Sequence, residues 1–354
     1  MGLVLHVDGD RWRAHLRDLH TRQPGLVPVC KGNGYGFGLA RLARKSAWLG
    51  VDTLAVGVYE EIEQVSSRFD GSILVMTPWR PFNPPPQDPR VIHTVGRLED
   101  LTALVAHGRE SGVRPRIVLE RLTSMLRHGF TARGLRAAAE IVADGGVELE
   151  GVALHLPLAP PSAGSANVAE VERLMTDVVA AGLTGPAPIW VSHLSEAELD
   201  LLGARFPDFA FRPRIGTGLW LGDREALSVR ATVLDSHPVE RGDVFGYRGR
   251  SAARSGTILI VSGGTAHGIG LEAPTGEGSL RSRAASVARG GLDAAGLVRS
   301  PFTISGKQRL FAEPPHMQAS MLFVPSGASV PEVGDEVPVR VRFTATDFDR
   351  VEIS

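Results

Sequence analysis

Cysteine is almost absent from this 354-residue chain, and the single Cys30 excludes any disulfide framework within it. Lysine is nearly as scarce: Lys31, Lys45 and Lys307 stand against a large excess of arginine, a bias that codon usage explains for most positions. Charge of one sign is lacking too. A net charge of −1 gives no basic surface for nucleic acid or for an anionic membrane. No run of about 18 apolar residues occurs, so no transmembrane helix is predicted. Residues Met1–Asp10 lack the charged and apolar regions of a signal peptide, and a cytoplasmic location is the default expectation.

What remains is the composition of a globular protein, 43% apolar and 22% charged, long enough for an α/β barrel with a smaller domain attached. From about residue 10 to 220, short apolar runs alternate with helical patterns. Leu26–Lys31, Thr53–Val58, Ser72–Met76, Val91–Val95, Arg116–Glu120, Val147–His155, Pro188–Ser192 and Phe209–Phe211 read as strands. Leu39–Leu49, Glu60–Ser67, Leu98–Arg109, Ala132–Ala143, Val168–Ala181 and Glu196–Ala204 read as helices. Buried strands alternating with helices imply a parallel sheet. Eight of them fit a (β/α)8 barrel, with an open doubly wound sheet as the alternative. After about residue 226 the pattern turns to strands separated by Gly and Pro: Val229–Ser236, Thr257–Ser262, Phe302–Ser305, Met321–Val324 and Val337–Phe343. The expected division is a barrel over 8–225 and a mainly β domain over 226–354, joined by the first strand, Leu3–Val7. Thr77–Pro89, with six prolines, reads as a stiff surface loop.

The segment Lys31-Gly32-Asn33-Gly34-Tyr35-Gly36-Phe37-Gly38 lies between an apolar strand and a helix. In a barrel that is the C-terminal face, where active sites are built. A lysine at a strand end can place its amine in a desolvated pocket, where a lowered pKa suits it to carbonyl chemistry. The glycines let the backbone turn sharply beside a ligand, and Tyr35 offers a hydroxyl to an anion. It is not a phosphate-cradling P-loop, whose lysine comes near the end. A Gly-rich turn with a solvent-facing lysine would look the same locally.

The segment resembles the pyridoxal-phosphate (PLP) lysine motif of alanine racemases, Lys-Ala-x-Ala-Tyr-Gly-His-Gly. The similarity extends to Val7-Asp8 with Leu16, Leu54-Ala55-Val56 with Glu60-Glu61, Glu150-Gly151-Val152 before His155, and Val333-Gly334-Asp335-Glu336-Val337. The resemblance implies a PLP-binding (β/α)8 TIM-like barrel followed by a mainly β C-terminal domain, and a head-to-tail homodimer acting on a small amino acid. It assigns Lys31 to the cofactor. Arg214, in Arg214-Ile215-Gly216-Thr217-Gly218-Leu219-Trp220, would face the pyridine nitrogen; the alternative is a solvated charge beside Arg212. A guanidinium does not give up its proton, so the ring nitrogen stays unprotonated and the electron sink modest. Tyr35, Ser195, Gly216 and Thr217 would hold the phosphate, although Ser195 also reads as a simple helix N-cap. His155 would stack on the cofactor ring, and Arg127, in Ser124-Met125-Leu126-Arg127-His128-Gly129-Phe130, would reach its phenolic oxygen. Met317 would lie near the substrate.

The pattern also breaks. Family members carry a second base, a tyrosine from the partner's β domain, and Gly264 stands at that position in Val261-Ser262-Gly263-Gly264-Thr265-Ala266-His267-Gly268. Glu120 replaces a lysine that is often carbamylated, Gln318 replaces the Asp of a Met-Asp pair, and the family's late Tyr-Glu segment has no counterpart before Ser354. Racemisation needs a usable proton donor on each face, and Lys31 serves only one. His267 is the nearest replacement, with an exposed loop histidine as its bland alternative, and His316 is a second candidate. The expectation is an atypical racemase-like isomerase with weak alanine racemisation. The competing readings are another PLP enzyme of the same fold and a PLP carrier without turnover. Arg214 argues against a decarboxylase. No metal-ligand cluster is apparent, and no metal is expected.

Overall fold

The computed structural model describes residues 1–84, 86–158, 166–185, 187–271 and 298–354. The chain divides into two compact units, residues 13–222, and residues 1–12 with 223–354. Among the described residues no helix is long and apolar enough to cross a membrane.

Strand β1 (Leu3–Val7) opens the chain, and helix α1 (Gly9–Arg22) follows it. The larger unit then supplies eight parallel strands: β2 (Val27–Pro28), β3 (Thr53–Val56), β4 (Ser72–Val75), β5 (Val91–Val95), β6 (Arg116–Arg121), β7 (Glu148–Leu154), β8 (Ile189–Val191) and β9 (Phe211–Ile215). They pair in sequence order from β3 to β9, and β9 pairs with β2. A bridge between Val29 and Ala55 joins β2 to β3 and closes the barrel. The closed barrel, not the open sheet, is the fold. Helices α2 (Leu39–Leu49), α3 (Ile62–Ser66), α4 (Leu98–Ser111), α5 (Ala132–Ala143), α6 (Ala166–Ala180), α7 (Glu196–Arg205) and α8 (Thr217–Trp220) follow the strands.

Two buried clusters reflect the alternation of side chains along a strand. Val27, Val29, Ala55, Leu74, Ile92, Val118, Ala153 and Trp190 fill the barrel interior. Trp190 is fully buried, and its Nε1 donates to the Glu150 carbonyl at 2.8 Å. The odd-even partners, among them Ile117, Leu119, Val152, Leu154 and Ile189, pack outward with helix residues such as Leu101, Leu135, Val171 and Leu202.

His93 sits at an outward position on β5 and is 4% exposed. The Tyr59 hydroxyl is hydrogen-bonded to its Nδ1 at 2.8 Å. Burial, with His107 adding to it, pushes the imidazole down to about 4. A histidine held neutral by the fold stabilises fully above its unfolded pKa near 6.5, and that contribution is lost as pH falls toward 4. The loss is on the order of 3 kcal/mol at 1.36 kcal/mol per unit. Urea unfolding at pH 7 and pH 4.5 should show a steeper acid loss for the wild type than for His93→Gln; parallel losses would contradict this.

The other unit is β-rich. Strands β10 (Leu227–Val239), β11 (Val244–Phe245), β12 (Arg250–Ser251), β13 (Gly256–Ser262), β14 (Arg299–Ile304), β15 (Lys307–Phe311), β16 (Ala319–Pro325), β17 (Glu336–Pro338) and β18 (Arg350–Ile353) complete the chain. The main sheet runs β14-β15-β16-β13-β10-β1-β18, with β17 also on β10, and β11 and β12 form a separate hairpin. β1 is antiparallel to β10 and parallel to β18, so the first strand does join this sheet. Three sequence expectations need correcting. The eighth barrel strand is Phe211–Ile215 rather than Phe209–Phe211, Val337–Phe343 shortens to Glu336–Pro338, and β11, β12, β15 and β18 were not foreseen.

Candidate active site

Each inner strand position that fills the barrel has a partner two residues later, one layer nearer the C-terminal mouth. From Val29 this gives Lys31, from Val118 Glu120, and from Ala153 His155. On β9, Arg212 and Arg214 share the inner face. Arg212 lies at the N-terminal end, over the Trp190 ring and paired with Asp52. Arg214 reaches the other end, where its Nη2 donates to the Leu154 carbonyl at 3.2 Å. Arg214 is therefore on the strand, not after it, and at 6% exposure it is not a solvated charge.

These side chains share one electrostatic environment. Burial, then Arg127, draw the Lys31 ammonium below its usual range; Arg214 adds to this and Glu61 opposes it. Burial drives His155 down to about 3, helped by Arg214, Arg127, His193 and Lys31. His193 shifts the same way, from burial first and then Arg214, Lys31 and Arg127. Burial raises Glu120, and Arg214, Arg127 and Arg80 pull it back. Burial disfavours the Arg214 charge, and Glu120 restores part of it. The mouth thus gathers Lys31, Arg127 and Arg214 beside two neutral imidazoles, an arrangement receptive to an anion. Arg214 Nε and Glu120 Oε2 are buried without a hydrogen-bond partner. Buried polar atoms are normally satisfied, so this pair is open to a polar ligand atom.

Tyr35 is 5% exposed and held at φ +55 in a one-turn 3-10 helix, Gly34–Gly36. Its hydroxyl is packed so closely on Gly216 that a Cβ there would collide with it. Tyr35, Gly216 and Thr217 are therefore brought together. Ser195 N-caps α7: its Oγ accepts from the Glu198 N–H at 3.4 Å and bonds Glu198 Oε2 at 2.8 Å. Arg127 is exposed on the loop after β6, next to Leu126 at φ +52. The residue that sequence reasoning missed here is His193, at φ +58, whose ring meets that of His155 edge-on at 5.4 Å. No local pattern marks it, because its role depends on a neighbour on the adjacent strand.

In the β unit, His267 is 8% exposed. Its Nδ1 accepts from the Gly264 N–H at 3.2 Å and its Nε2 bonds the Asp349 carboxylate at 3.2 Å. Both ring nitrogens are engaged in holding the fold, which corrects the picture of an exposed loop histidine and leaves neither nitrogen open to a substrate. Replacing it with alanine should cost about 1–3 kcal/mol, since the Gly264 N–H loses a buried acceptor. Urea unfolding would measure this, and an unchanged midpoint would contradict it. His316 is different. Its Nε2 bonds Glu313 at 2.7 Å, and the Glu313 side chain is only 2% exposed. Its ring lies 4.7 Å from that of Tyr247, which is 87% exposed. Tyr247, Glu313, His316 and Met317 line a cavity of about 590 Å³.

Comparison with known proteins places this chain in a family. Residues 7–221 match the model of the alanine racemase N-terminal domain. The alanine racemase of Mycolicibacterium vanbaalenii is 26% identical over 71% of this chain and 68% of its own length. That of Beutenbergia cavernae is 29% identical over 69% of each. Among solved structures, alanine racemase from Bacillus anthracis with bound L-Ala-P superposes with a TM-score of 0.73 at 20% identity, covering 96% of this chain and 86% of that one. Alanine racemase from Bartonella henselae with covalently bound pyridoxal phosphate gives 0.71 at 16% identity over the whole of both chains. Histidine racemase from Leuconostoc mesenteroides gives 0.69 at 18%, covering 100% of this chain and 98% of its own. With its barrel matched in sequence and both units matched in fold, the chain belongs to the alanine racemase family.

Proposed function

We propose that the barrel mouth holds pyridoxal 5′-phosphate on Lys31 and that the protein moves the α-proton of a small amino acid, with a second-face group other than the family's tyrosine. One observation carries this: a lysine with a depressed pKa stands among Arg127 and Arg214 at a barrel mouth where Arg214 Nε and Glu120 Oε2 lack partners. The residues fit the group. Tyr35 with Gly216 and Thr217 would take its phosphate, Arg127 its phenolic oxygen, His155 its ring face and Arg214 its ring nitrogen. Bound there, the cofactor supplies an electron sink for charge developing at Cα.

The protein's own residues do the rest. Lys31, whose ammonium form burial and Arg127 disfavour, takes or returns the α-proton on one face. Arg214, which stays protonated beside Glu120, keeps the sink weak, so the reaction depends on a well-placed group on the other face. His267 is tied to Asp349 and Gly264, so we assign that face to His316 on the β unit. A buried Glu313 carboxylate orients its ring at the edge of a cavity, the arrangement of a base and its orienting group. Because Lys31 and His316 belong to different units, we further propose a homodimer in which a second copy's β unit completes each site.

Deuterium uptake at Cα, measured in heavy water for L- and D-amino acids with chiral product analysis, tests the assignment. His316→Gln should lower exchange from one enantiomer roughly 10²–10⁴-fold while sparing the other. His267→Asn should leave both within a few-fold of wild type. Equal losses from both enantiomers in His316→Gln, or a face-specific loss in His267→Asn, would overturn it.

A further inference from the structure

Strand pairing in the barrel is sparsest where it closes. β2 spans only two residues, and its link to β3 is the Val29–Ala55 bridge together with the Cys30 N–H donating to the Ala55 carbonyl at 2.7 Å. Lys31 follows at once, so the residue proposed to carry the cofactor extends from the thinnest seam in the sheet. Just beyond that bridge the Glu61 carboxylate bonds the backbone on both sides. Glu61 is 9% exposed. Its Oε1 accepts from the Gly32 N–H at 2.6 Å. Its Oε2 accepts from the Gly57 N–H at 2.6 Å and the Val58 N–H at 3.3 Å. Gly32 directly follows Lys31, and Gly57 and Val58 directly follow β3. One buried carboxylate therefore spans the seam with three backbone donors on its two oxygens. Hydrogen bonds to an ionised acceptor are short and roughly twice as strong as neutral ones.

We infer that Glu61 is a positioning residue: it continues the β2–β3 seam as a side-chain rung and fixes the backbone that aims Lys31 into the barrel mouth. The inference rests on the reading of Lys31 as the cofactor lysine, and it adds what holds that lysine in register. Glutamate suits the place because both oxygens accept. Glutamine would turn an N–H₂ group toward one of the strands, and aspartate is too short to reach both. The charge acts on the amine as well, since a nearby carboxylate favours the ammonium form.

The test uses Glu61→Gln and Glu61→Asp with two readouts. The first is the pH profile of Lys31 labelling by trinitrobenzenesulfonate in cofactor-free protein, followed by peptide mass. The second is the rate at which pyridoxal phosphate becomes fixed on Lys31 by borohydride, at a pH above the labelling inflection of every variant, where all the amine is free. Glu61→Gln should move the inflection to lower pH and slow fixation roughly 10-fold or more, the scale of a small misplacement at a reacting centre. Glu61→Asp, which keeps the charge, should leave the inflection near the wild-type position yet still slow fixation. Fixation rates equal to wild type in both variants would overturn the inference. So would an inflection in Glu61→Gln that rises toward an ordinary lysine, because that reports only a loosened, more exposed strand end. If the wild type fixes no cofactor on Lys31, the functional reading fails, and the labelling profiles still decide the role of Glu61.

Discussion

Lys31→Ala should abolish retention of pyridoxal phosphate and lower Cα-proton exchange by at least 10²–10⁴-fold, the usual cost of losing a group that acts as general acid or base, with loss of the covalent anchor added to it. The fold should survive. Lys31 lies at the open mouth of the barrel and contributes no packing to the interior cluster, and such substitutions usually change stability by less than about 0.5 kcal/mol. The two results separate the readings. A stable variant that loses cofactor and exchange places the chemistry on Lys31; a stable variant that keeps both would place it elsewhere, and Lys45 and Lys307 are the only other lysines. Urea unfolding and exchange in heavy water make the comparison.

Gly264→Tyr should fail to restore a conventional alanine racemase, although it supplies the residue that the family resemblance leads one to expect there. The backbone carbonyls of His316 and Met317 lie so close to Gly264 that a Cβ would collide with both. Those carbonyls accept from the Thr265 N–H at 2.8 Å and the Ala266 N–H at 3.0 Å, so backing them away breaks two backbone hydrogen bonds. Overpacking of about 1–3 kcal/mol plus roughly 1 kcal/mol for each lost bond gives a destabilisation of about 3–5 kcal/mol. The glycine is thus not a simple truncation. The segment bearing His316 packs against it, so this glycine is tied to the placement of that histidine. Urea unfolding and chiral analysis of alanine turnover check this. Unchanged stability with a hundredfold gain in racemisation would show that the site accepts the old geometry.

Most of the barrel was legible because its strands are buried on both faces and its helices carry a clear apolar stripe. α2 and α5 begin and end where the apolar period does. β9 was placed too early because Arg212-Pro213-Arg214 reads as polar, whereas the two arginines point into opposite ends of the barrel, where polar side chains have partners. β15 (Lys307–Phe311) and β18 (Arg350–Ile353) escaped notice for a related reason. Half their residues face solvent, and charged residues on short strands hide the alternation. Lys31, Tyr35 and Arg214 could be proposed as site residues because each sits in a contiguous motif. His193, Glu61 and Tyr247 could not, because each gains its meaning from a partner on another element, and Glu313 could not, because its burial depends on the fold. The burial of His267 was hidden in the same way: Asp349, which binds its ring, lies 82 positions along the chain.

The most direct test of the central claim is to reduce the purified protein, incubated with pyridoxal phosphate, using borohydride and to map the modified peptide. The account predicts one stoichiometric label on Lys31, with a visible absorption band that disappears on reduction. A label on Lys45 or Lys307, or none at all, would contradict it.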